Sequence, residues 1–533
     1  MPNRFTRAAA PRSACWWLPC LLVCAILLGR PWATRSQTLA FNFLETVKCP
    51  KNTRTAALLE AGEDGYKVLR LQQTSPDELG SPQTEIPLIV TLAADGSLAS
   101  SKELPGFGAT DQFSLRWKWS IGAGSAMLVI YEKREAKPKH RLFARRFHLH
   151  KGDWDSPETE LFEAAGGLLA RDGYRVAPNG QFTCVYAFST GPDGLTSMWA
   201  AVFDHALEPL WQKSIPWAPQ NNLAIPQQVF CTNGGYLAVH AHAFLQEGKG
   251  GPQALPVRSP AWWPDGKTVL PETWGGTSGR AHSHAICLFG QKTAEPDWYY
   301  PAVGKGFTSA VVLSQDLGDQ LYCAGFAGEQ AQAAERYFIY NIDLKSKAGK
   351  MLQNAPISPA LRKAFLSEKA AADKAPIEGL NLLQMEWTAD GAAWLLAEQT
   401  EENGESRLFK DAVLMRLDSA WKMTGIRKIE KASRHTNGTT QFFGAIAPIR
   451  APKGGWYLCS NSGNWPQTKV VMAACKRSGQ ALVYDIADCH KEGATLLPHT
   501  LYTGDDKWYF VAESEYREMF RIAELVADKT KRK

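Results

Sequence analysis

His240 and His242 stand two residues apart in GGYLAVHAHAF (234–244), and His282 and His284 repeat that spacing in RAHSHAICLF. Side chains two apart on a β-strand share a face, so each pair presents two imidazoles together. If the chain leaves one strand after Phe244 and returns on its neighbour, the pairs can meet across a ladder. Imidazoles suit zinc, copper or nickel, and three or four nitrogens at about 2.0–2.1 Å would make a zinc site. The rival reading is four polar side chains on a sheet. RRFHLHKG gives His148 and His150 the same spacing beside Arg146, on a face that reads as solvated. No cysteine or carboxylate stands at a fixed offset to complete a ligand set. The polar reading is preferred, and zinc or another divalent transition metal at His240, His242, His282 and His284 is kept as the alternative.

Other chemistry is less marked. GGTSGR places Ser278 among glycines but lacks the glycine spacing of a nucleophile elbow. Carboxylates pair in Asp153–Asp155 and Asp505–Asp506, where turn carboxylates that bond their own backbone are the default. No phosphate-binding loop, dinucleotide fingerprint or calcium loop is present. Aromatic side chains cluster in a Pro- and Gly-framed stretch: Trp262 and Trp263 in AWWPDG, Trp274 in PETWGG, and Trp298 in DWYYP. Loops on a rigid scaffold commonly carry recognition, and such rings suit a glycan or a protein hot spot. A loop that packs on itself is the alternative.

The first 36 residues stand apart. Arg4, Arg7 and Arg12 precede the 14-residue apolar run CWWLPCLLVCAILL, shorter than the ~20 residues of a membrane-spanning helix. Thr34 and Ser36 fit a signal-peptidase site, with a cut after Ala33 as the alternative. Residues 1–36 therefore read as a cleaved signal, and the mature chain as exported to the periplasm or cell surface without a transmembrane span. The leader holds five of the 59 basic residues and none of the 53 acidic ones. The remainder is close to neutral, which argues against nucleic acid as a partner. Three of the 11 cysteines also leave with the leader. The even remainder permits one or two disulfides in an exported chain, with Cys475–Cys489 the least implausible, but mostly buried free thiols fit the apolar strand patterns as well.

The elements that would position these residues repeat. A Gly-, Asn- or Asp-rich turn precedes a strand of aromatic and β-branched residues in EDGYKVLRLQ, GAGSAMLVIYEK, PNGQFTCVYAF, TNGGYLAVHAHAF, LGDQLYCAGFA, ADGAAWLLAEQ, KGGWYLCSNS and GDDKWYFVAES. Repeats of this size cannot bury both faces alone and point to a propeller. We expect a single all-β propeller over 37–533, of seven or eight blades, or six if weak units are discounted. Separate β-sandwiches are the competitor. Two insertions interrupt the period: the aromatic loop at about 245–279, and a helical one at about 355–376. In the latter, SPALRKAFLSEKAAAD (358–373) reads as one helix with Ser358 as N-cap and Pro359 in the first turn.

Runs such as SMWAAVFDHALEPLWQKSI and DAVLMRLDSAWKM resemble the blades of exported bacterial β-propeller proteins of unassigned function. The resemblance implies a fold and carries over no functional residue. The chain is expected to be a non-catalytic binding or scaffolding module of the cell envelope, alone or in a complex. Its contact would be a protein or glycan met through Trp262, Trp263, Trp274 and Trp298. The alternative is a metal-dependent hydrolase or lyase that uses the four histidines.

Overall fold

A computed structural model describes residues 39–527 apart from 51, 74–84, 110–112, 136–139, 165–167, 192–193, 218–222, 245–282, 294, 304–305, 317, 331–332, 388–390, 404–405, 432, 437–445, 451–454, 464–467, 477–480, 505–506 and 515–517. The proposed leader and Trp262, Trp263, Trp274, Ser278 and His282 thus lie outside the described residues. Residues Phe41–Leu525 form one unit, an all-β propeller of eight blades.

Each blade is an antiparallel meander whose strands we name A to D from the ring axis outward. The eight turn-and-strand phrases of the sequence are the eight A–B turns with their B strands. Blade 4, for instance, runs Leu223–Cys231, Leu237–Phe244, Ser283–Phe289 and Asp297–Tyr299. Blade 8 differs. Its strands A to C are Thr495–Thr503, Trp508–Glu513 and Met519–Ala527, and its outer strand is Leu39–Phe43, from near the start of the chain.

Alternation puts each blade's two faces into different cores, as a ring requires. In blade 4, Leu237, Val239 and Ala241 pack with Cys184, Tyr186 and Val202 of blade 3. Ala238, Ile286 and Leu288 pack with Val311, Cys323 and Phe338 of blade 5. The circle closes in the same way, because Leu58, Val68 and Val90 of blade 1 share a core with Leu497, Val511 and Ile522 of blade 8. Sandwich domains strung in a row would leave one face of each terminal sheet without such a partner.

The phrase that carries the resemblance is a turn device. In DHALE, Asp204 accepts from the backbone N–H groups of Ala206 and Glu208, both at 2.9 Å, and Leu207 sits at φ +63°. In DSAWK, Asp418 accepts from Ala420 and Lys422 at the same 2.9 Å, with Trp421 at φ +64°. Each is a C–D turn locked by its carboxylate.

Because the strands are antiparallel, A–B and C–D turns share one end of the ring. B–C loops and the crossovers between blades share the other. Both insertions emerge at that second end. The helical one contains two helices rather than the single one expected: α1 (Pro359–Phe365) and α2 (Glu368–Ala372). Ser358 caps α1 by accepting from Leu361 N–H. Leu366 is extended, and Ser367 starts a second helix by accepting from Ala370 N–H. Leu361 is buried, with Phe365 and Leu366 packed beside it on the core of blades 5 and 6.

Candidate functional site

The ladder between strands B and C of blade 4 pairs His242 with His284 and His240 with Ile286. The excursion after Phe244 does return on the neighbouring strand, so three imidazoles meet. All three are buried. His240 Nε2 lies 2.9 Å from His284 Nδ1, and the ring centroids stand 5.2–5.9 Å apart. The cluster faces blade 5. There, Thr308 Oγ1 is 2.8 Å from His242 Nε2, and the Phe338 ring lies 5.0 Å from that of His284. Two imidazole nitrogens therefore converge, while the third ring turns to a hydroxyl across the blade junction. Among the described residues, no group of three or more His, Cys, Asp or Glu side chains is arranged to hold a metal ion.

Comparison with the other blades explains His242. It stands five places after the first residue of its B strand. The same place is taken by Arg70 in blade 1, Glu398 in blade 6, Ser460 in blade 7 and Glu513 in blade 8, and all are buried. Several of these side chains, or their immediate neighbours, reach the start of strand A in the next blade. Glu513 accepts from Thr55 N–H and from its hydroxyl. Asn461, beside Ser460, donates to Leu496 O at 2.8 Å. His242 with Thr308 is the blade 4 form of this link. A buried polar group must find a partner, and at this height the partner is the next blade.

Trp298 is half-buried in the outer strand of blade 4, its ring 5.2 Å from that of Trp217, so it packs on the core of blades 3 and 4. His148 Nδ1 accepts from the backbone N–H of His150 at the end of a strand, and His150 faces Glu60 and Lys67. Asp155 pairs with Arg146, and Asp153 accepts from Trp154 N–H.

Sequence reasoning did not find the buried charges. Arg70 and Glu513 pair at 2.9 Å with almost no exposure, and Thr53 and Thr55 accept from the same guanidinium. Lys431 and Glu398 pair at 2.5 Å, both fully buried. A signal was present, because charged residues recur at one fixed place in otherwise apolar B strands.

The described cysteines Cys49, Cys184, Cys231, Cys287, Cys323, Cys459 and Cys489 are buried free thiols. The C–D ladder of blade 7 pairs Lys469 with Asp488 and Cys475 with Ala481. Cys475 and Cys489 thus stand at opposite ends of that ladder, about 20 Å apart at ~3.3 Å per residue. That is too far for a disulfide, so this expected pair is ruled out. Burial holds the Cys287 and Cys323 thiols well above their ordinary range, which makes them inert packing groups.

No protein-family model matches the chain, and no curated protein sequence matches it. Similar solved structures include a prolyl endopeptidase, at 11% identity and TM-score 0.36, covering 94% of this chain and 59% of that one. The β-propeller domain of the Trilobed protease from Pyrococcus furiosus is similar at 10% identity and TM-score 0.33, covering 82% and 94%. An apocarotenoid oxygenase from Synechocystis gives 8%, 0.32, 76% and 97%. Likeness this distant says nothing of activity. The eight sheets carry the fold.

Proposed function

We propose that this chain is an exported, non-catalytic propeller that binds a protein or glycan of the cell envelope through the loop inserted in blade 4. The supporting observation is where that loop is rooted. Residues 245–282 leave strand B and return on strand C, which are hydrogen-bonded neighbours paired from Leu237–Phe289 to Ala243–Ser283. The base of the loop is held by a ladder buried on both faces, and an anchored base lowers the ordering cost of binding. Trp298 packs on Trp217. Trp262, Trp263 and Trp274 then supply the aromatic contact.

The test is co-sedimentation of the purified chain with isolated cell envelopes. The double variant Trp262→Ala/Trp263→Ala is expected to bind about tenfold or more weakly, as hot-spot aromatics do, with an unchanged melting temperature. Undiminished binding sinks this surface.

The convergence of His240, His242 and His284 favours one second reading, a metal-dependent hydrolase or lyase. Elemental analysis decides it. A stoichiometric transition metal, lost in His242→Ala/His284→Ala, would support that reading over the binding one.

A further inference from the structure

Arg336 opens strand C of blade 5 (Arg336–Asp343), which runs beside strand B (Gln320–Gly328) and strand A (Phe307–Gln315). The ladders set Arg336 opposite Ala327, and Ala327 opposite Thr308. Residues opposite one another across a ladder share a face, and this face is the one that meets blade 4. Ala327 lies in the core between blades 4 and 5, and Thr308 Oγ1 is the atom 2.8 Å from His242 Nε2. The guanidinium lies back across strand B towards strand A: a Cβ on Gly306, two residues before Thr308, would stand 3.6 Å from Arg336 Nη2. Phe338, two residues further along strand C, is the ring that packs on His284. Arg336 therefore stands at the blade 4–5 junction, at the end of the propeller where residues 245–282 leave blade 4.

A charge lies here without a counter-charge. Arg336 is half-buried, and its Nε is enclosed with no hydrogen-bond partner among the described residues. Strands A to C of blades 4 and 5 hold no other lysine or arginine, and one carboxylate, Asp343 at the far end of strand C. Asp343 already accepts from Gln320 Nε2 and from the backbone N–H groups of Lys345 and Ser346. The adjacent Glu335 accepts from Glu329 N–H. Enclosing a guanidinium is costly unless an anion and hydrogen bonds offset the lost hydration. We propose that Arg336 anchors a binding site for one carboxylate group, completed by the Thr308 hydroxyl, and that the group belongs to a sugar acid. A planar carboxylate fits the guanidinium fork, and its single negative charge matches the one arginine of these strands. A phosphate dianion would meet no second lysine or arginine on them. The assignment to a sugar rests on the envelope-binding reading, since the site stands where the aromatic loop is rooted. The carboxylate assignment rests on blades 4 and 5 alone.

The test is calorimetric titration of the full chain with glucuronate, glucose, acetate and inorganic phosphate at constant ionic strength. Expected are one site for glucuronate, weaker binding of acetate and none of glucose. Arg336→Met should weaken glucuronate binding about tenfold or more, the loss of a charge-assisted hydrogen-bonded pair. The same variant should melt no lower than the parent chain without ligand, because methionine keeps the apolar stem and removes the unpaired charge. Arg336→Lys should bind with intermediate strength, since the charge stays and the fork is lost. Undiminished glucuronate binding by Arg336→Met overturns the site, and phosphate bound more tightly than any carboxylate overturns the choice of anion. No carboxylate binding by the parent chain, with Arg336→Met melting well below it, makes the guanidinium a structural group and overturns the proposal outright. Acetate held through Arg336 with no gain for glucuronate upholds the carboxylate site and overturns only its assignment to a sugar.

Discussion

At the residue scale, His242 shows how one side chain changes meaning with its neighbours. In sequence it is half of a metal-like pair, but in the ring it occupies the place of Arg70, Glu398 and Glu513 and reaches Thr308 in the next blade. His242→Ala is expected to cost about 1–3 kcal/mol, the loss of a buried hydrogen bond with its partner left behind. Urea denaturation measures this, and a cycle with Thr308→Val should show that the two losses are not additive. A zinc-dependent rise in melting temperature that His242→Ala removes would return the cluster to metal chemistry. Phenols supply a second prediction. Burial first, then Tyr509, raises Tyr66 from 10.0 to about 12; burial first, then Asp297, does the same to Tyr299. Tyr322 reaches about 12 through burial first, then Asp316. A folded-state value above the unfolded one means full stability below pH 10, lost as pH rises towards 12. Denaturation midpoints should be flat up to pH 9.5 and fall between pH 10 and 12, with phenolate absorbance appearing as the ring opens.

At the element scale, the turns were the most legible part of the chain, because a turn's backbone geometry is set by adjacent residues. EDGYK is such a case. Gly65 sits at φ +115° in the A–B turn of blade 1, and a Cβ there would stand 2.3 Å from Leu92 O. Gly65→Ala is expected to cost about 2 kcal/mol or more, from a conformation that L-residues avoid plus a clash with fixed backbone. Thermal melts would check it, and an unchanged melting temperature would mean that the turn relaxes freely. The helical insertion was only half legible. Ser358 marks its start as the sequence predicts, but Ser367, a second N-cap in the same run, begins a new helix where the sequence predicts a continuous one. Propensity favoured continuation, whereas packing Phe365 and Leu366 onto the core of blades 5 and 6 let the chain bend there.

At the scale of the whole ring, stability depends on closure. The junction of blades 8 and 1 carries a buried ion pair, Arg70 with Glu513, inside an apolar core. Removing one partner leaves a buried charge, so Glu513→Gln is expected to cost about 3–5 kcal/mol. Arg70→Met with Glu513→Leu should recover most of that loss, since well-packed apolar pairs often replace buried ion pairs at little cost. Equilibrium unfolding of the two variants gives the comparison. A double variant no more stable than Glu513→Gln would mean that the pair contributes more than it costs to bury.

The sequence by itself determined the repeat, the all-β class and the positions of the eight turns, and it let the two histidine pairs meet only on condition that the chain after Phe244 returns on the neighbouring strand. Repeat, class and turns follow from local rules: alternation of faces and positive φ at turn glycines. The blade count stayed open between six and eight because weak units could be discounted in sequence, whereas the structure completes the eighth sheet with Leu39–Phe43, far from it along the chain. Only the tertiary structure decided which polar side chains meet across blades. Arg70 and Glu513 are separated by 443 positions, and their contact depends on the summed packing angles of eight sheets. No local pattern encodes that sum, so residues equivalent in sequence become partners only once the ring has closed.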